Sequence, residues 1–316
     1  MNQVSSSGSL VVAHPERKAQ RALHRLVGAT LAPVRVVADA EALCATVDAS
    51  TIAVVDAALA LAHPELLRLP ALAWIAVAGE GATPLDPETV TALLAAGWSH
   101  VMAHPMPLLG EELLATVQKL LRGEIFGLEK YMAWGAEVRG FTLANARDRE
   151  RAVATLAADI VAIGLPDRIS SLVSVTADEL IANAVYAAPV DAAGARFRAQ
   201  EPRDAARSLL GRDTVTVRWA TDARYLAIEV RDHWGSLDIA TVAARLAAGA
   251  NQAATAATPA AGGMGLPLAY ACCTQLVVGS TPTVMTEIIA LLDVRHKPTE
   301  LCRAASFHTF AVTASP

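Results

Sequence analysis

The sequence predicts an α/β fold in two parts: a doubly wound parallel sheet, then an α+β sandwich. Three observations carry this. The chain is 316 residues long, beyond the usual size of one domain. Its first part alternates apolar strand-like runs with helical stretches. Its second part reads helix, strand, strand, loop, glycine turn, helix, strand, strand.

In the first part, residues 1–8 are polar and read as a disordered tail. "SLVVAH", "VRVVA", "STIAVVDAA", "ALAWIAVAGE" and "SHVMAHP" read as buried strands, and "PERKAQRALHRLVGA" and "DPETVTALLAAG" as helices between them. Strands apolar along their whole length imply a parallel sheet covered on both faces. Over residues 9–122 this pattern resembles the receiver domain of two-component response regulators. Asp56, ending "IAVVD", matches the aspartate that accepts a phosphoryl group in that family. Receivers also carry an acidic pair after the first strand, a hydroxyl residue after the fourth, and a lysine before a proline after the fifth. Here those places hold Ala13 and His14, then Ala78, then His104 before Pro105. Without the acidic pair a divalent ion has too few hard oxygen ligands. Asp56 is therefore expected to play a structural role and to escape the usual phosphorylation. His14 and His104, both at strand ends, leave a pH or metal sensor as an alternative use of this end of the sheet.

From "PLLGEELLATVQKLLRGEIFGLEKYMAWGAEVRGF" onward the pattern is helical, interrupted by Gly110, Gly123, Gly127, Gly135 and Gly140. Residues 123–145, with Phe126, Tyr131 and Trp134, are expected to be a helical connector that packs within the chain or forms a homodimer contact.

The second part, 146–316, opens its chemistry with "TADELIANAV", a helical run in which Glu179 and Asn183, four residues apart, share one face. "YLAIEVRDHWGSLD" is an alternating strand ending in Asp232 and followed by Gly235. "AAGGMGLPLAYACC" is a glycine-rich turn opening a helix, and "VMTEIIALLDV" a strand carrying Thr286 near its start. The order predicts helices over one face of a mixed sheet, with "SFHTFAV" as an extra strand.

Those stretches resemble the GHKL (Bergerat) superfamily of ATP-binding domains over about residues 146–295. Its E-x-x-x-N motif is matched by Glu179 and Asn183, its D-x-G-x-G aspartate by Asp232, its G-x-G-L turn by Gly263, Gly265 and Leu266, and its late threonine by Thr286. The resemblance implies ATP and Mg as cofactors. Asn183 would offer its carbonyl oxygen to Mg, Asp232 would accept the adenine amino hydrogen, and Gly235, Gly263, Gly265 and Thr286 would complete the nucleotide site. Glu179 would be the catalytic base. Two features depart from the family. Trp234 stands where its first glycine belongs, able to stack on a base or to fill its space, and Tyr186 and Ala187 replace a basic phosphate contact. The alanine-rich stretch before Gly263 reads as a mobile lid or as a plain loop.

Composition narrows the functions. A formal charge of −5 and a pI near 5.9 give no reason to expect a nucleic-acid partner. "ARFRAQEPRDAARSLLGR" interleaves acids with bases as a solvated loop does. Cys44, Cys272, Cys273 and Cys302 fit no zinc or redox spacing and are expected to be buried reduced thiols. No apolar run reaches the roughly 20 residues of a spanning helix, so the protein is read as cytoplasmic with no membrane partner. The reading is a signal-transduction protein in which a pseudo-receiver is coupled to an ATP/Mg-binding domain that captures a partner protein, a regulator or antagonist. Its nearest likeness is the anti-sigma-type serine/threonine kinases. It is not a classical histidine kinase, because no helix carries a histidine followed by Glu or Asp and Pro. The alternative is a non-catalytic interaction scaffold with both domains degenerate.

Overall fold

The computed structural model describes residues 8–79, 83–106, 108–203, 206–255, 265–295 and 304–312. The chain is mixed α/β and divides into two compact units, Met1–Ile125 with Ser306–His308, and Phe126–Ala305 with Thr309–Pro316. Among the described residues no helix is long and apolar enough to cross a membrane.

The first unit contains β1 (Ser9–Ala13), α1 (Arg17–Gly28), β2 (Val34–Val37), α2 (Ala40–Cys44), β3 (Thr51–Asp56), α3 (Ala57–Ala62), β4 (Ala73–Val77), α4 (Pro87–Ala96), β5 (His100–Met102) and α5 (Leu108–Arg122). Its parallel strands run in the order β2-β1-β3-β4-β5. The fully buried residues of β1, β3 and β4 explain why these segments read as unbroken apolar runs. Leu109, Leu113 and Val117 of α5 pack on the core formed by β1, β3, β4 and α1.

A second stripe of α5, made of Glu112, Thr116 and Lys119, is also buried. It meets β11 (Ser306–Ala311), whose Ser306–His308 segment belongs to this unit and runs antiparallel to β5, setting His308 opposite His100. Glu112 Oε1 lies 2.8 Å from His308 Nε2, and Glu112 Oε2 lies 3.8 Å from His104 Nδ1. Burial would raise the Glu112 carboxyl, but His104 and His308 outweigh it and hold the group at about 2. Ser306 Oγ accepts from the Ala103 amide at 2.9 Å and sits 3.1 Å from His104 Nδ1.

The second unit contains β6 (Val138–Leu143), α6 (Asp148–Ala162), α7 (Asp167–Ala182), β7 (Val215–Thr221), β8 (Tyr225–Asp232), α8 (Ile239–Thr255), α9 (Gly265–Cys272), β9 (Gln275–Thr281) and β10 (Met285–Asp293). Strand order is β9-β10-β8-β7-β6, and each of these four pairings is antiparallel. Strand alternation sends Val230, Asp232, Thr286 and Ile288 to one face and Glu229, Arg231 and Glu287 to the other.

Residues 123–145 are not a helical connector. Gly127 (φ 114°) and Gly135 (φ 86°) take left-handed backbone that a helix cannot use. Between them lies only a 3-10 turn, Leu128–Tyr131, and then "VRGFTL" forms β6. This segment docks on its own unit through charge. The Gly127 amide donates to Glu287 (3.0 Å) and the Leu128 amide to Glu229 (3.0 Å), while Arg218 bridges Glu229 and Glu129. Buried Glu229 and Glu287 are thereby neutralised by Arg218 and Arg231, as buried carboxylates must be. Among the cysteines, Cys273 is buried as expected, Cys44 is exposed, and Cys302 lies outside the described residues.

Candidate functional site

Helix α7 reaches Ala182 and continues as one wider π turn, Asn183–Ala187, closed by the Ala188 amide donating to the Asn183 carbonyl at 2.9 Å. Such turns are uncommon and recur at functional sites. Asn183 is half-buried at the point where the winding changes. Its Nδ2 donates to the Glu179 carbonyl at 2.9 Å, which orients the side chain and leaves Oδ1 with no partner among the described residues. Asp178, on another face, pairs with Arg149 of α6 at 3.3 Å.

Asp232 ends β8 and is 6% exposed. One oxygen, Oδ1, accepts from the amides of Trp234 (2.8 Å) and Gly235 (3.3 Å), so the carboxylate holds its own turn. Burial pushes this carboxyl up to about 6, against the lowering effect of the two amides, the Thr286 hydroxyl and Arg212. Thr286 is the cross-strand partner of Asp232. Its Oγ1 is buried beside that carboxylate, close enough to lower its pKa but without a well-formed hydrogen bond among the described residues.

Asn183, Asp232 and Thr286 line one cavity, with Leu180, Leu266 and Ile288 as its apolar wall. Gly265, first residue of α9, lies against Asn183 and Glu179. A Cβ there would lie 2.5 Å from Glu179 Oε2 and 3.1 Å from Asn183 Nδ2, so glycine lets the helix start sit against these two side chains as they are placed. The structure thus brings together Glu179, Asn183, Asp232, Gly265 and Thr286. Gly263 lies outside the described residues.

Gly235 does a different job. It has φ +56°, and a Cβ would overlap the Thr281 carbonyl and lie 2.7 Å from the Val284 nitrogen, so it packs on the β9–β10 turn and does not line the cavity. Trp234 is also outside the cavity, lying under the Arg212 guanidinium at 4.4 Å and edge-on to Phe197 at 6.0 Å. Its ring therefore does not occupy the cavity. Arg212 was not singled out by spacing, yet it donates to the carbonyls of His233, Trp234 and Thr283 and so fastens the Asp232 turn to that hairpin.

The side chains are of the kinds a magnesium nucleotide would use: an amide oxygen with no partner among the described residues, a buried carboxylate and a buried hydroxyl beside it. The space is another matter. The cavity is about 30 Å³, the room of one ordered water, so a base enters only if its walls move.

In the first unit, Asp56 caps α3 through its Oδ1, which accepts from the amides of Ala58 (3.1 Å) and Leu59 (3.0 Å). Its Oδ2 lies 3.4 Å from His14 Nε2, and His14 Nδ1 accepts from the Glu16 amide. His104 is engaged separately, with Ser306 and Glu112. Among the described residues no three His, Cys, Asp or Glu side chains are grouped to hold a metal ion. No protein-family model matches this chain, and no curated protein matches it significantly.

Proposed function

We propose that the protein is a signal-transduction protein whose second unit is a GHKL-type module binding adenine nucleotide with magnesium, and whose first unit is a receiver-like module working without phosphoryl chemistry. The observation carrying the proposal is the convergence of Asn183, Asp232 and Thr286 on one cavity, with Gly265 held against Asn183 and Glu179. Support for the receiver-like module comes from the parallel order β2-β1-β3-β4-β5 and from Asp56 standing at the carboxyl end of β3.

In this reading Asp232 Oδ2 accepts the exocyclic amino hydrogen of the base and Thr286 holds the ordered contact beside it. Asn183 Oδ1 ligates the cation, which when bound would neutralise phosphate oxygens. Glu179, half-buried beside the start of α9, is placed to take a proton from a hydroxyl, which is what a serine/threonine kinase acting on a protein partner needs. A non-catalytic scaffold is the second reading, favoured by the water-sized cavity. Calorimetric titration with Mg-ATP separates the two. Saturable binding that weakens at least about tenfold in Asn183→Ala is expected. An absence of saturable binding, or binding indifferent to that substitution, overturns the nucleotide reading.

A further inference from the structure

We propose that Arg196 and Arg245 form a polyphosphate-reading pair at the rim of this cavity; the inference rests on the nucleotide reading for the identity of the base, though not for the charge of the ligand. Arg196 comes from the loop after the π turn and Arg245 from α8, and both line the cavity with Asn183 and Asp232. Both are exposed residues, and neither makes an ion pair among the described residues. Their neighbours in the chain do: Arg198 is bonded to Asp213 and Arg207 to Glu201. Partial burial, then the charge of Arg245, lowers the Arg196 pKa, so the two guanidinium groups are near enough to repel one another.

Two guanidinium groups on one cavity, neither ion-paired among the described residues, make a site for a multiply charged anion, and guanidinium geometry matches phosphate oxygens. The pair also supplies from outside α7 the positive charge that Tyr186 and Ala187 do not. The cavity floor reads the base, and the rim reads the length of the phosphate chain.

Calorimetry with ATP, AMP, adenosine and inorganic tripolyphosphate tests this on the full chain, using Arg196→Ala, Arg245→Ala, their combination and Asp232→Asn, with circular dichroism to confirm folding. Wild type should bind tripolyphosphate and prefer ATP to AMP, and the double variant should lose roughly ten- to hundred-fold for both tripolyphosphate and ATP. Adenosine affinity should not change. Failure of wild type to bind tripolyphosphate, or ATP affinity untouched in the double variant, overturns the inference. If the arginine variants abolish tripolyphosphate binding while adenosine does not bind and Asp232→Asn leaves ATP unaffected, the rim pair stands and the adenine assignment falls.

Discussion

Thr286 stands directly opposite Asp232 on adjacent antiparallel strands, a buried hydroxyl facing a buried carboxylate. The carboxylate is held at about 6, above its ordinary 3.8, chiefly because burial penalises its charge. The folded state therefore binds this proton more tightly than the unfolded chain. The associated stability is fully present below pH 3.8 and is lost as pH rises through about 6. The difference amounts to about 3 kcal/mol. Urea unfolding of the wild type should show that slope, and Asp232→Asn should flatten it. Adenine nucleotide, which needs an ionised acceptor, should bind more weakly as pH falls below about 6.

Glu112 gives the opposite sign. Its carboxyl is lowered from 4.5 to about 2, so its contribution is present above pH 4.5 and is lost as pH falls through about 2. Glu112→Gln removes the buried carboxylate that accepts from His308 and faces His104, and should cost about 1–3 kcal/mol. Chemical denaturation at neutral pH checks the loss, and an unchanged midpoint would show that the cluster does not anchor β11.

Asp56 should resist phosphorylation by acetyl phosphate in the presence of magnesium. Its Oδ1 is taken by two amides, Oδ2 faces His14, and Ala13 and His14 supply no acidic pair. Intact-mass measurement decides this, a phosphoryl adduct on Asp56 being the contrary result. Asp56→Ala should cost about 1 kcal/mol through the lost cap.

How much of this was legible beforehand depends on whether neighbours in sequence decide the environment. The apolar strands announced themselves because β1, β3 and β4 are buried on both faces. Glu179 and Asn183 were visible as a pair because helical spacing alone stacks them, and the Asn183 Nδ2 bond to the Glu179 carbonyl is local. The connector misled because its apolar and aromatic residues suit a helix, whereas positive-φ glycines and the cross-strand partners of Val138–Leu143 decide its course. Glu229 and Arg231 alternate with apolar residues as an open sheet face does, yet distant residues 127–128 cover Glu229. Gly235 was read as a nucleotide glycine because the motif names it, but its requirement comes from a hairpin far along the chain. Arg196 and Arg245 have no spacing relationship, and only folding brings them to one rim.

Gly235→Ala should be severely destabilising. The added carbon has positive φ against it and backbone atoms of Thr281, Val284 and Met285 in its way, none of which can rotate aside. A loss of about 3 kcal/mol or more is expected by thermal unfolding. A midpoint within a degree or so of wild type would mean the β9–β10 turn does not sit on this glycine.

Gly265→Ala should behave in the reverse way, and the contrast tests the site. Here the Cβ would meet side-chain atoms, Glu179 Oε2 at 2.5 Å and Asn183 Nδ2 at 3.1 Å, so the Glu179 carboxylate can swing away without backbone movement. Replacing glycine at the start of a helix also reduces the freedom of the unfolded chain, worth about 0.4–1 kcal/mol where the backbone is compatible. Stability should be equal or slightly raised. Asn183, tied to the Glu179 carbonyl, loses its set position as the neighbouring side chain is displaced, and Mg-ATP affinity should fall about tenfold. Unfolding and titration on the same preparation separate the effects. A variant that binds like wild type would show that the close approach of α9 serves packing alone.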